Sequence, residues 1–326
     1  MPLPTGTAPG YRLRVIVCVA ANPSIDKLFE VDRLVPGGIH RPVLFVQTAG
    51  GKGLNAVRAA HTLRADVRAV GILRGHAGRW LEETLRAEGI DGAFVWADGE
   101  NRSSLSVADR NGDELTEFYE RGSPVPEGAW SGLIDAAAGL FAPLGWLTIS
   151  GSLPPGVPDE GYGHLVSRAR AAGMRVAIDA EGERLRRSFP HSPDVVKVNA
   201  SEAAELVRSP VGTREESLAA AERIRDLAGG DGHAGVVTRG AEGVVVAAPD
   251  GRRYEGRLYV RGRYPVGSGD AFLAGLVVGL EDGSDWPTAL SVALGAATAN
   301  AEIPGAGRFD ADRAAALAGR AEMREL

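Results

Sequence analysis

Apolar residues fall in short β-branched runs, separated by longer stretches in which alanine and leucine recur at helical spacing. The runs 13–20, 67–72, 146–149, 175–179, 195–198 and 235–238 read as strands. The stretches 54–63, 79–88, 161–172, 215–227 and 286–300 read as helices. Alternation of this kind predicts an α/β fold: a mostly parallel central sheet with helices on both faces. Two segments, 28–47 and 103–119, are strand-like with no helix between their strands. Pro36-Gly37-Gly38 and Asn111-Gly112 supply their turns. They predict a small antiparallel sheet, inserted at two points and lying over the edge where ligands bind. Such a sheet is either a lid that excludes water or a surface excursion with no catalytic role. The remaining pattern is one domain over 12–326, preceded by a proline- and glycine-rich tail, 1–11, expected to be mobile.

Composition narrows the class of partner. At 326 residues the chain can bury a large core. Its formal net charge of -6 argues against general nucleic-acid binding, and an anionic substrate would need a local basic site. The one cysteine, Cys18, excludes an internal disulfide and lies in an apolar run that reads as a buried strand. Arg12 and Arg14 precede that run as in a signal peptide, but its apolar core is short and leads straight into Asn22-Pro23-Ser24-Ile25-Asp26. No run approaches the roughly 18 apolar residues of a membrane span. A cytoplasmic protein is expected.

The densest chemistry lies at Pro265-Val266-Gly267-Ser268-Gly269-Asp270, which opens the apolar, small-residue run 271–280. A glycine-rich turn at a helix start aims backbone N–H groups at one point, where the helix dipole adds to them. An anion held there would sit beside the Asp270 carboxylate, the arrangement that phosphoryl transfer to a hydroxyl requires. Gly50-Gly51-Lys52-Gly53-Leu54-Asn55 is a second glycine-rich turn before a helix. It lacks the Ser or Thr of a Walker A loop, and Phe272 breaks a dinucleotide fingerprint at the first site. Lys52 offers a point charge and Asn55 a donor and acceptor, although a tight strand-to-helix turn explains the glycines equally.

Four further places carry paired readings. Asp26, at the end of the first strand, either grips sugar hydroxyls or caps a turn. Arg102 either binds phosphate or is simply solvated, and the same holds for His40 and Arg41. Lys197-Val198-Asn199-Ala200-Ser201-Glu202 either starts a helix, with Ser201 as its cap and Glu202 favouring its first turn, or forms a nucleotide site in which Glu202 orients magnesium-bound water. Thr238-Arg239-Gly240-Ala241-Glu242-Gly243 either wraps a nucleotide or is a hairpin turn. The six histidines show no metal-binding spacing, and Ser150-Gly151-Ser152 lacks the flanking glycines of an esterase elbow.

Taken in order, Asn22–Asp26, Gly50–Asn55, Ser150-Gly151-Ser152-Leu153-Pro154, Lys197–Glu202 and Gly267–Asp270 resemble the ribokinase-like carbohydrate kinase family, nearest its 1-phosphofructokinase and tagatose-6-phosphate kinase branch. The resemblance runs from about residue 13 to the last helices. It implies a central parallel sheet, a β-sheet lid that often pairs two subunits into a homodimer, and ATP with Mg²⁺. It implies Asp270 as the base and the amides of Gly267, Ser268 and Gly269 as an anion hole. It implies Asp26, Gly50, Gly51 and Asn55 as sugar contacts, and Lys52 and Arg102 as partners of a phosphate already on the sugar. Lys197, Asn199 and Glu202 would form the nucleotide–magnesium motif, with Thr238, Arg239, Gly240, Gly243 and Asn300 near ATP. The chain departs from the branch at Val198, where proline is usual, at Arg239, where a small or aliphatic residue is usual, and at Asn101, where threonine is common. The expected reaction is transfer from ATP to a primary hydroxyl of fructose 1-phosphate or tagatose 6-phosphate, giving a 1,6-bisphosphate. The alternatives are a kinase of an unphosphorylated sugar or nucleoside, which Lys52 and Arg102 speak against, and a catalytically silent sugar-phosphate sensor, which the intact Gly-Ser-Gly-Asp set speaks against.

Overall fold

Ile16–Ala20 (β1) is apolar and buried at every position, as a central parallel strand covered on both faces must be. The computed structural model describes residues 15–112 and 115–326, so the expected tail, 1–11, lies outside the described residues. After β1 come Ser24–Val31 (β2), Leu44–Gly50 (β3), Lys52–Thr62 (α1), Val67–Arg74 (β4), Gly75–Ala87 (α2) and Gly92–Ala97 (β5). Arg102–Asp109 (β6), Leu115–Tyr119 (β7), Glu127–Ala138 (α3), Trp146–Ser150 (β8), Gly161–Ala171 (α4), Arg175–Asp179 (β9) and Gly182–Arg186 (α5) follow. Next are Val195–Asn199 (β10), Ala200–Val207 (α6), Arg214–Ala228 (α7), Ala234–Thr238 (β11), Val244–Ala247 (β12) and Arg253–Arg257 (β13). Ser268–Glu281 (α8), Trp286–Glu302 (α9), Ala311–Ala318 (α10) and Glu322–Glu325 (β14) complete the chain.

The main sheet runs β14-β13-β12-β11-β10-β9-β8-β1-β4-β5. It is parallel from β5 across to β11. β12, β13 and β14 extend it with antiparallel pairings. Two apolar layers cover it: one built from residues such as Leu54, Leu81, Phe272 and Leu290, the other from Leu133, Leu165 and Ile224. From β1 the chain builds β4 and β5 on one side and β8 to β11 on the other. A crevice opens at the carboxyl ends of the strands where that direction reverses, the usual ligand position in open α/β sheets. Helix α1 packs tightly across β1, and a Cβ added to Gly53 would collide with the backbone of Val19 and Ala20.

The smaller sheet has the order β3-β2-β6-β7. Its outer pairs are antiparallel, as expected, but β2 and β6 run parallel, with Ser24 opposite Arg102 and Val31 opposite Asp109. Both strands leave the main sheet at the same edge, β2 after β1 and β6 after β5, so they travel outward side by side. Only their returning partners are antiparallel. Asp26 therefore lies within this sheet, not at the end of β1. Register gives the sheet two unlike faces. Asp26, Thr48, Ser104 and Tyr119 lie across one row, with Ser106 and Glu117 on the same polar face. Phe29, Phe45, Leu105, Val107 and Phe118 share the opposite face, on which Phe45 and Phe118 are exposed.

Candidate active site

One cleft of about 980 Å³ lies between the polar face of the smaller sheet and the carboxyl ends of β8 to β11. Each strand end brings a different group to it: Ser150 from β8, Asp179 from β9, Asn199 from β10 and Thr238 from β11. The start of α8 forms another wall. Gly267 precedes that helix at φ +81, a left-handed conformation that favours glycine, and an added Cβ would lie 2.7 Å from the Ala306 Cβ. The Ser268 amide donates to Pro265 O at 3.1 Å. Among the described residues no backbone carbonyl takes the Gly267, Gly269 or Asp270 amide, so these remain available at the helix start, whereas the Ser268 amide, expected in the anion hole, is already engaged. Lys197 Nζ stands close by, 3.0 Å from where a Cβ on Gly269 would be.

Asp270 is buried at this turn, and Asn55 Nδ2, reaching from α1, donates to its Oδ2 at 2.9 Å. Burial, followed by the negative charge of Asp179, pushes its carboxyl up to about 7, against the opposing pull of Lys52, Asn55 and Lys197. A general base is most effective with a pKa near the working pH. The Asn55 Oδ1 atom is buried without a hydrogen-bond partner among the described residues, which leaves an acceptor for a ligand hydroxyl.

Asp179 is the charge hub. Its Oδ2 accepts from Lys197 Nζ at 2.5 Å, and its Oδ1 lies 3.5 Å from Lys52 Nζ. Burial raises its pKa, but Lys197 and then Lys52 outweigh that and hold it below the usual carboxylate range. Lys52 Nζ is equally 3.5 Å from Glu202 Oε1. The charge of Asp179 above all, with Asp270, Glu202 and Glu181 behind it, outweighs desolvation and keeps the Lys52 ammonium above its ordinary pKa. Glu202 also caps α6. Its Oε2 accepts the Asn199 amide at 2.8 Å while Asn199 Oδ1 accepts the Glu202 amide at 2.9 Å, a reciprocal capping box. A capped helix does begin here with Glu202 in its first turn, but the cap is Asn199 and not Ser201, and Oε1 is still turned toward Lys52.

At the other end of the cleft, Asp26 Oδ2 accepts the Gly51 amide at 3.0 Å and Oδ1 accepts Ser24 Oγ at 2.5 Å. Gly50 does not line the cleft; an added Cβ there would strike the Asp26 carboxylate, so it makes room for that side chain. Arg102 bonds Asn22 O at 3.1 Å and Ser104 Oγ at 3.2 Å.

Most expected residues thus meet in one cleft, and four do not line it. Arg239 turns away to pair with Glu242, which accounts for a long cation at a position that is usually small. Gly243 shapes the turn into β12, where a Cβ would strike Gly256 O. Asn300 works from behind: Nδ2 donates to Val266 O at 2.9 Å and Ser268 Oγ at 3.1 Å, and Oδ1 accepts the Gly307 amide at 2.7 Å. Gly50 is the fourth. Several charged cleft residues escaped the sequence, among them Asp179, Glu117, Arg121, Glu181 and Arg184. The available signal for Asp179 was an acid at the carboxyl end of a buried parallel strand.

The model of the pfkB family carbohydrate kinases matches residues 17–312. The chain belongs to the pfkB family of carbohydrate kinases. A 1-phosphofructokinase of Xanthomonas campestris pv. campestris is 31% identical to this sugar kinase over 271 residues, 82% of this chain and 84% of the relative. The phosphofructokinase-2 of Escherichia coli, solved in complex with potassium, superposes on the kinase with a TM-score of 0.86 at 24% identity, covering 94% of this chain and 98% of that one. A possible 1-phosphofructokinase of Thermotoga maritima superposes with a TM-score of 0.80 at 21% identity, covering 96% and 99%. These structural likenesses establish the ribokinase-like fold of the kinase. No helix among its described residues is long and apolar enough to cross a membrane.

Proposed function

We propose that this kinase transfers the terminal phosphoryl group of ATP to a primary hydroxyl of a ketohexose monophosphate, fructose 1-phosphate or tagatose 6-phosphate, giving a 1,6-bisphosphate. The observation that carries the reading is the position of Asp270. It is a buried carboxylate in the first turn of α8, beside open amides, with Asp26 and Arg102 on one side of it and Asn199 and Glu202 on the other. The 1-phosphofructokinase relative favours fructose 1-phosphate. The acceptor oxygen attacks the γ-phosphorus, Asp270 takes the hydroxyl proton, and the bond to the β-phosphate oxygen breaks, releasing ADP with that electron pair. The Gly267 and Gly269 amides and the Lys197 ammonium face the charge on the transferring group. Lys52, standing with Asp179 and Glu202, serves that same group, which leaves Arg102 as the chief partner of the phosphate already on the sugar.

Asp179 and Glu202 each keep a carboxylate oxygen 3.5 Å from the Lys52 ammonium, and Glu202 would hold metal-bound water rather than the ion itself. That donor set suits Mg²⁺ entering with the nucleotide phosphates, whose charge it neutralises.

The test is an ATP-coupled screen over fructose 1-phosphate, tagatose 6-phosphate, fructose 6-phosphate, free hexoses and nucleosides. Turnover confined to the first two supports the reading. Preference for an unphosphorylated sugar overturns it, and no turnover with retained sugar-phosphate binding marks a sensor. Arg102→Ala should raise KM for the phosphorylated acceptor about 10–100-fold with little change in KM for ATP, the loss of one charge-assisted contact. An unchanged KM removes Arg102 from the phosphate site.

The smaller sheet fits a lid whose apolar outer face is covered by a second copy of the chain. Ile39, Phe45 and Phe118 are 88%, 55% and 58% exposed in one chain. Sedimentation should give a dimer that Phe118→Glu weakens; a monomer at micromolar concentration rejects the pairing.

A further inference from the structure

Arg58 has no place in the mechanism above, yet it is one of the most buried charges in the chain, only 4% exposed. It lies on α1, one turn beyond Asn55. A buried guanidinium is costly unless its donors are met, and an aliphatic residue would fill this helix face more cheaply. Each of its three nitrogens donates to a segment that frames the cleft or braces α1. Nη2 donates to Ala49 O at 2.6 Å, Nη1 to Ala306 O at 3.2 Å, and Nε to Glu88 Oε2 at 2.8 Å.

The two carbonyls belong to opposite halves of the site. Ala49 precedes Gly50 and Gly51, the loop whose amide anchors Asp26. Ala306 presses on the anion turn, so closely that a Cβ on Gly267 would lie 2.7 Å from its Cβ and 2.9 Å from the Gly307 amide nitrogen. Gly307 in turn rests on α1, where a Cβ would lie 2.5 Å from Asn55 O. The segment 305–307 is therefore a wedge between the acceptor loop and the anion turn. Asn300 holds it from α9 through the Gly307 amide, and Arg58 holds it from α1 through the Ala306 carbonyl.

We propose that Arg58 is a positioning residue that sets the register between the acceptor hydroxyl and the transferring phosphoryl group, by tying the acceptor loop and the 305–307 wedge to one rigid fork. The inference rests on the phosphoryl-transfer reading. It predicts a particular fault: with the fork removed, both substrates still bind, but the hydroxyl no longer meets the phosphorus, and water competes for it. Displacements near 1 Å cost on the order of 10²-fold in rate.

The test uses the full-length protein with Arg58→Met, which keeps the aliphatic bulk, and Arg58→Lys, which keeps the charge but not the fork. Arg58→Met should lower kcat about 10²-fold, leave both KM values within a few-fold, and raise the ATP hydrolysed per sugar phosphorylated; Arg58→Lys should recover only part of the loss. Hydrogen exchange on the ligand-free variants should quicken together in 44–53 and 303–309. If Arg58→Met does not fold, Glu88→Gln, whose side chain holds Nε and not the cleft, should show the same changes at smaller size. A folded variant with the parent's kcat and the parent's ratio of transfer to hydrolysis overturns the proposal, as does unchanged exchange in both segments. Should the parent phosphorylate no sugar, the functional reading is what fails, and the exchange result alone then upholds or overturns the tie.

Discussion

Asp270→Asn is expected to lower kcat by about 10²–10⁴-fold, the usual worth of a positioned base, while ATP binding stays near that of the parent. The amide keeps an oxygen for Asn55 Nδ2, which now donates to the carboxylate at 2.9 Å, so the local geometry survives the change. A variant with near-normal turnover removes Asp270 from the base role. Stability separates lost chemistry from lost structure. Burial and Asp179 raise the folded-state pKa of Asp270 to about 7, so between its unfolded value and 7 the folded protein binds the extra proton. Stability therefore falls as pH rises through that window, and the ionised group is a standing cost above it. The asparagine variant should melt higher than the parent at pH 8, with the difference gone below about pH 4. In the parent, kcat/KM should decline below about pH 7 as the base takes up its proton.

Asp179→Asn should do damage of two kinds. It strips the counter-charge from a buried Lys197 and from Lys52, and breaking a buried pair by removing one partner costs about 3–5 kcal/mol. Calorimetry should show a clear fall in melting temperature. The second effect has the opposite character. Asp179 is the main charge raising the Asp270 pKa, and Lys52 and Lys197, freed from it, pull on Asp270 more strongly. Both changes act in the same direction, so the acid limb of kcat/KM should move to lower pH. A limb that stays in place, or moves up, would show that Asp179 does not set the protonation of the base.

The parallel part of the main sheet was legible except at its edge strand, Gly92–Ala97, which is only partly buried, because its other parallel strands are short, buried apolar runs. The run 175–179 is observed as Arg175–Asp179, and 161–172 as Gly161–Ala171. The polar, edge-ward strands were harder. Glu322–Glu325 is exposed at most positions, so it carries no apolar signature, whereas the apolar Val244–Ala247 follows the turn that one reading makes a hairpin. The parallel pairing of β2 with β6 was hidden because partner choice depends on where each strand leaves the main sheet, which no local pattern encodes. In the site, the glycine turns and Asn55 could be found from spacing. For Asp179 only the place was legible, an acid ending a strand, and not the role, which is created by Lys52 and Lys197 coming to it from separate elements. Lys52 shows a related limit: the motif locates its Cα, but only packing decides that a flexible four-carbon stem points toward Asp179 and Glu202.

The parallel pairing of β2 with β6 bears on how the chain assembles. Asp26 reaches its row opposite Ser104 only after residues far apart in sequence have met, since Ser24 pairs with Arg102. Closing so long a loop is entropically slow when nothing precedes it. Here β4 pairs with β1 and β5 with β4, which carries the point from which β6 departs back beside the point from which β2 departs. We expect an order of events in which the first three strands of the main sheet form a platform and the acceptor side of the cleft is laid on it afterwards. During synthesis, the residues proposed to read the sugar cannot take up their arrangement until β6 has emerged, whereas those on β9 and β10 await a later part of the chain altogether.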